Sequence, residues 1–244
     1  VTVVVRTPAK VNLQLSVGPL RDDGYHDLMT VFHALSLEDT ITAKQASGIE
    51  LTMSGEGAEA LPVDSGNLAY QAAVLLAQSA GIDPEVSLHI DKSIPIAGGM
   101  AGGSADAAGT LVACDALWRT GYSREQLSEL AAQLGSDVPF ALHGGNAIGR
   151  GRGEEITPIL GRGQFHWVLA LADGGLSTPE VYARCDELRA KQDGAPGGES
   201  VGISDELVQA LRTGEADVLA RNLHNDLQEA AMSLRPSLRQ LVES

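Results

Sequence analysis

In the stretch PAKVN, Lys10 and Asn12 stand two residues apart inside a β-rich run. On a strand that spacing puts both side chains on one face and turns Val11 and Leu13 to the other. A lysine on a strand face is ordinarily solvated. Beside a phosphate site, a Lys–Asn pair would instead bind an anion or orient a hydroxyl. In GSDVPF, Asp137 occupies a short link between a helical pattern and an apolar segment. An aspartate there suits a cap or a turn. Near a lysine it also suits removal of the proton from an attacking hydroxyl, which phosphoryl transfer requires. Tyr25 and His26 are adjacent in the turn DGYHD of a chain that is only 4% aromatic. The pair reads either as a packing anchor or as a surface that stacks on a base or sugar. His33, His89, His143, His166 and His224 are dispersed without metal-ligand spacing and are given no role.

The stretch PIAGGMAGGSADAAG, Pro95 to Gly109, is dense in glycine and alanine and lies between the alternating run VSLHI and the helical run LVACDALW. A helix N-terminus carries unpaired N–H groups and the positive end of the dipole. Glycines ahead of it let the backbone wrap a phosphate. The competing reading is a tight loop that lets a helix pack closely on a sheet. More specific labels fail. No Gly-Lys pair completes a P-loop, Met100 stands where a Rossmann fingerprint needs its second glycine, and no HRD or DFG marks a protein kinase.

Strands and helices must position these groups. VTVVV and AKVNLQLSV read as strands, followed by the polar turn PLRDDGYHD and further β character in LMTVFHALSL, DTITAKQ and IELTMSG. NLAYQAAVLLAQSAG reads as an amphipathic helix ended by Gly81. After the strand EVSLHIDKSIP comes a helix with Ser104 as its expected N-cap and Gly121 past its end, then SREQLSELAAQLG with Ser123 and Gln126 as a capping box. FHWVLALAD reads as a buried strand. PEVYARCDELRAKQ, SDELVQALRTG and ADVLARNLHNDLQEAAMSL read as helices. No repeat is visible. The shift from strands to helix predicts an α+β chain with two parts, 1–155 and 156–244.

Composition narrows the partners. The 244 residues suffice for one large or two modest domains, and 43% hydrophobic with 20% charged residues is the balance of a soluble globular protein. A net charge of −15 disfavours nucleic acid and anionic membrane as partners, so an anionic substrate needs a locally positive pocket. Cys114 and Cys185 have no zinc or CxxC spacing and read as buried thiols of a cytoplasmic protein. No apolar run approaches a membrane span, and the start VTVVVRTPAK lacks the features of a signal peptide.

The order PAKVNL, DGYHDL, DKSIPIAGGMAGGSADAAG, LGSDVPF and GRGRGEEI closely resembles the GHMP kinase superfamily along nearly the whole chain. The glycine stretch marks only the superfamily. PAKVNL and DGYH are similar to its branch that serves the non-mevalonate route to isoprenoid precursors. The resemblance implies a two-domain α+β GHMP kinase fold with the active site in the cleft between domains. It implies ATP-dependent phosphorylation of the 2-hydroxyl of a methylerythritol carrying a cytidine diphosphate group. It further implies that Asp137 is the catalytic base, and that Lys10 holds the hydroxyl and favours the ionised carboxylate.

By the same resemblance, Pro95, Ile96, Ala97, Gly98, Gly99, Met100, Ala101, Gly102, Gly103, Ser104 and Ala105 would form the ATP phosphate loop, with Asn67 and Lys92 around the nucleotide. Asn12 would contact the erythritol end. Tyr25 and His26 would form the cytosine site, with Tyr182 as second stacking face and Thr178 and Pro179 nearby. ATP and Mg²⁺ are the implied cofactors. Ser104 or Asp106 would approach the ion, and its ligands stay open. The assembly would be a monomer or homodimer. The family also has a third glycine-rich motif, roughly Gly-Ser-Gly-Pro-Thr. The sequence reaches LRQLVES about where that motif should begin, so the expectation is an incomplete second domain. Two alternatives stay open: a superfamily kinase for homoserine or mevalonate, and a nucleotide-binding module without catalysis.

Overall fold

Two 19-residue strands, β1 (Thr2–Leu20) and β2 (His26–Lys44), frame the protein in a computed structural model that describes residues 1–96, 98–172, 174–191 and 202–243. VTVVV and AKVNLQLSV are thus one continuous strand. The polar turn between β1 and β2 is tied by Arg21 to Asp23 at 2.7 Å and to Asp27 at 3.0 Å, with Gly24 at φ 82°. Residues of both strands fall in each of two compact units. Unit 1 comprises Val1–Val11 and Ala34–Gly144, and unit 2 comprises Asn12–His33 and Gly145–Ser244. The units interleave along the chain because they share the hairpin, where a cut near residue 155 would follow chain order.

In unit 1, β3 (Ile49–Gly55) runs parallel to β4 (Val86–Lys92), and β4 runs antiparallel to β2. Alternation along β4 buries Val86, Leu88, Ile90 and Lys92. Against these strands pack α1 (Leu68–Ala80), α2 (Gly102–Trp118), α3 (Arg124–Leu134) and α4 (Val138–His143) around a core that includes Ile41, Leu76, Leu88, Ile90 and Leu111. Local chemistry sets the ends as the residue types predict. The Asn67 side chain accepts from the Ala69 amide, left-handed Gly81 ends α1, and Ser123 with Gln126 forms the capping box of α3.

The start of α2 differs from expectation. Ala101, not Ser104, is its N-cap, in a left-handed conformation at φ 58° with no side-chain cap bond. The turn into the helix is made by backbone alone, and Gly102 and Gly103 lie inside the first turn. A non-glycine residue in that region costs about 1–2 kcal/mol. At the other end left-handed Arg119 caps α2, and Gly121 lies past the end as expected.

In unit 2, β5 (Asn146–Arg150) and β6 (Glu155–Ile159) form a hairpin, and β5 pairs antiparallel with β2. The helices are α5 (Thr178–Lys191), α6 (Asp205–Thr213), α7 (Ala216–Arg221), α8 (Gln228–Leu234) and α9 (Ser237–Glu243). The single helix expected over 216–234 is broken. Asn222 turns its side chain back to the Val218 carbonyl, and β7 (His224–Asn225) pairs parallel with β1. FHWVLALAD is not a buried strand: residues 165–172 have no regular structure, Val168 is 98% exposed, and Asp173 lies outside the described residues. Among the described residues no strand takes its backbone hydrogen bonds, and apolar composition cannot replace a ladder partner. Cys114 and Cys185 are buried free thiols, and burial pushes the Cys114 thiol up to about 12. Among the described residues no helix is long and apolar enough to cross a membrane.

Candidate functional site

Unit 1 contains a pocket of about 340 Å³. Its lining includes Asn67, Lys92, Pro95, Ile96, Gly98, Gly99, Met100, Ala101, Gly102 and Gly103, with Leu61, Pro62, Leu68 and Ile94 as apolar walls. Of the expected phosphate loop, Ser104 and Ala105 are outside that lining, Ala105 being fully buried in the core, and Ala97 lies outside the described residues. Two glycines of this stretch are set apart by what surrounds them. A Cβ on Gly109 would come within 2.6 Å of Ile41 Cδ1 and 2.9 Å of Thr7 Cγ2, so this glycine lets α2 lie close on the strands. A Cβ on Gly102 would meet Ile94 at 3.2 Å and Lys92 Nζ at 3.4 Å, inside the pocket wall. Asn67 holds the pocket edge: besides capping α1, its Nδ2 donates to the Pro62 carbonyl at 2.8 Å.

Strand alternation carries Lys92 to the core side of β4, where it is 4% exposed. A buried ammonium needs partners. Lys92 Nζ donates to Asp39 on β2 and to Asp106 Oδ2 on α2 at 2.6 Å. Asp39 also accepts from the amides of Ser93, at 2.6 Å, and Ile94, at 2.9 Å, where β4 leaves for the glycine loop. One buried cluster thus ties two strands and the first turns of α2 beneath the pocket. Asp106 lines that pocket, and its Oδ1 is buried without a partner. Burial pushes its carboxyl up to about 7, against the lowering pull of Lys92.

Lys10 joins this site through its backbone, its amide donating to the Met100 carbonyl at 3.2 Å. Its Nζ lies 3.6 Å from Asp137 Oδ2. Asp137 is the N-cap residue of α4, yet its side chain makes no cap hydrogen bond. The carboxylate is directed to the lysine instead of to the helix. The pair is therefore a cation and an acceptor placed together, with the lysine side chain 9% exposed and the aspartate 32%. That arrangement can hold and deprotonate a hydroxyl.

Unit 2 gathers the aromatic candidates. His26 and Tyr182 stack with ring centroids 5.2 Å apart and planes at 25°. Tyr25 is 53% exposed, and the Arg152 guanidinium lies 5.1 Å from its ring centroid. Thr178 and Pro179 begin α5, exposed, and Tyr182 follows Thr178 by four residues, on the same helical face. Asn12 donates from Nδ2 to Thr30 Oγ1 at 2.7 Å, and that hydroxyl donates to the Gln14 carbonyl. Sequence reasoning overlooked Asp39, Arg152 and Asp186. An acidic residue inside a β run signalled the first, and the spacing of four after Tyr182 signalled the last.

Comparisons with known proteins bear on both units. Residues 67–145 match the family described as GHMP kinases N terminal domain. The 4-diphosphocytidyl-2-C-methyl-D-erythritol kinase of Rhodococcus jostii (strain RHA1) is 57% identical over 99% of this chain and 76% of its own length. The kinase of the same name from Mycolicibacterium smegmatis is 56% identical over 100% of this chain and 75% of its own length. A crystal structure of 4-(cytidine 5'-diphospho)-2C-methyl-D-erythritol kinase superposes with a TM-score of 0.69 at 32% identity, covering 98% of this chain and 81% of the other. L. major mevalonate kinase, at 13% identity and a TM-score of 0.65 over 96% of this chain and 76% of the other, shares the fold.

Proposed function

We propose, because this chain belongs to the family of 4-diphosphocytidyl-2-C-methyl-D-erythritol kinases within the GHMP kinases, that it transfers the γ-phosphoryl group of ATP to the 2-hydroxyl of the cytidine-diphosphate-linked methylerythritol. The observation that carries the mechanism is the Lys10–Asp137 pair, whose lysine amide is bonded to the glycine loop.

In this reading the loop from Pro95 to Gly103 receives the triphosphate through backbone amides and the N-terminus of α2. Lys10 holds the acceptor hydroxyl and neutralises charge that develops on transfer. Asp137 takes the hydroxyl proton as the oxygen attacks. Lys92 does not reach for phosphate, because both Asp39 and Asp106 engage its ammonium. Its part is to fix the pocket floor. Tyr25, His26 and Tyr182 receive the cytidine end. Arg152 beside Tyr25 supplies local positive charge, which an anionic substrate requires on a protein of net charge −15.

Magnesium would accompany ATP and screen its phosphates. Among the described residues no three His, Cys, Asp or Glu side chains converge on a metal. Phosphate oxygens and water would then supply most of its ligands, as is common for this ion. Two buried free thiols suit a cytoplasmic enzyme.

The test is ADP release by the purified chain with ATP and magnesium. The proposal expects release that depends on the cytidine-diphosphate-linked substrate. Equal release with homoserine or mevalonate in its place, or ATP binding with no release at all, contradicts it.

A further inference from the structure

One contact of the aromatic site lies outside the scheme above. His26 Nε2 is 3.1 Å from Asp186 Oδ1 and 3.2 Å from Oδ2. An ionised carboxylate only accepts hydrogen bonds, so Nε2 must carry a proton, and in the neutral ring the lone pair then belongs to Nδ1. The ring is held in this orientation. Its side chain is 6% exposed, one face stacks on Tyr182, and turning it over would set a carbon against the carboxylate. Among the described residues Nδ1 makes no hydrogen bond, so its lone pair is the ring's remaining acceptor.

Local structure delivers this arrangement cheaply. Tyr182 and Asp186 are four residues apart on α5 and share one face. A single helical stripe therefore supplies both the stacking surface and the carboxylate. An acceptor nitrogen beside a stacking surface distinguishes pyrimidines. Cytosine presents an exocyclic amino donor where uracil presents a carbonyl acceptor.

We propose that Asp186 is a positioning residue for base choice: by keeping the proton on His26 Nε2 it leaves Nδ1 to accept from the cytosine amino group and opposes the uracil carbonyl. The proposal rests on the reading that unit 2 receives the cytidine end. It adds the residue that makes the site choose cytidine.

Calorimetric titration of the full chain with CDP and with UDP tests it, using wild type, Asp186→Ala, Asp186→Asn and Asp186→Glu, with ATP affinity as the check that each variant is folded. The wild type should prefer CDP. That preference should fall about tenfold in Asp186→Ala, the scale of one lost hydrogen bond and one tolerated mismatch. Asp186→Glu should recover much of it. Asp186→Asn, whose amide offers either an oxygen or an N–H, should fall between. Equal weakening of CDP and UDP in Asp186→Ala would make the residue merely structural, and unchanged affinities for both would remove it from base choice. Either result overturns the proposal while leaving the cytidine reading intact. A wild type that binds CDP and UDP equally also overturns the proposal alone, whereas one that binds neither overturns the cytidine reading with it.

Discussion

Beneath the pocket of unit 1, the Lys92 and Asp106 side chains are 2% and 3% exposed and bonded to each other. At the aromatic site of unit 2, the Tyr25 residue is 53% exposed and the Asp186 side chain 39%. Both regions hold charge and hydrogen-bonding groups, but they hold them differently. In unit 1 the buried lysine is held by two carboxylates, and Asp39 also accepts from two backbone amides, so this geometry is over-determined and any loss is costly. In unit 2 His26 is buried but Tyr25 and Asp186 face solvent, and their contacts are worth little until a ligand excludes water. The first arrangement suits a reaction centre that must not move. The second suits recognition, where a few modest contacts add up to a choice.

Removing the lysine would disturb unit 1 most. Lys92→Ala leaves Asp39 and Asp106 buried without their cation, which should cost about 3–5 kcal/mol of stability and be read as a large drop in melting temperature. A small drop would mean that the cluster is hydrated and that the contrast with unit 2 is overstated.

Gly109→Val comes next. It forces side-chain carbon into the space held by Ile41 and Thr7, for an expected loss of about 1–3 kcal/mol in denaturant titration. The same exchange at Gly99, whose absent Cβ would meet nothing within 4 Å, is not a packing defect. Its penalty comes only from a backbone at φ 70°.

The pH dependence of the cluster has a definite sign. Burial raises the Asp106 carboxyl from its ordinary 3.8 to about 7, so the folded state keeps the proton longer than the unfolded chain. Its contribution to stability is full below about pH 4 and is lost as pH rises through about 7. In Asp106→Asn that slope disappears. The melting temperature of the variant minus that of wild type should therefore increase between pH 5 and pH 8. A constant difference would show that Asp106 does not titrate in this window.

The smallest effect belongs to unit 2. Tyr25→Ala should weaken CDP binding by about 1 kcal/mol or less, since the ring is half exposed and its cation–π partner Arg152 is at the surface. ATP affinity should not follow. A loss comparable to that in Lys92→Ala would mean that the aromatic site is as rigid as the pocket floor.

Much of this was legible where local chemistry decides. Gly81 and the Ser123–Gln126 box announce the end of α1 and the start of α3 because a cap needs only its own neighbours. The glycine loop, Lys10 and Asp137 were legible as types and, with flanking motifs, as a family. Three things were not. Ala101 replaces Ser104 as the cap because the loop turns on backbone conformation, which an alanine does not advertise. FHWVLALAD reads as a strand, but a strand depends on a partner that pattern alone cannot supply. The two buried carboxylates that hold Lys92 come from residues 53 and 14 positions away. Such pairing is a property of the folded unit.

The central claim is that Asp137 acts as a base beside Lys10 and is not a helix cap. Substrate-dependent ADP release by Asp137→Asn, measured with ATP binding on the same sample, tests it most directly. The account predicts that ATP still binds and that turnover falls by about 10²–10⁴-fold. Turnover near the wild-type rate would contradict it.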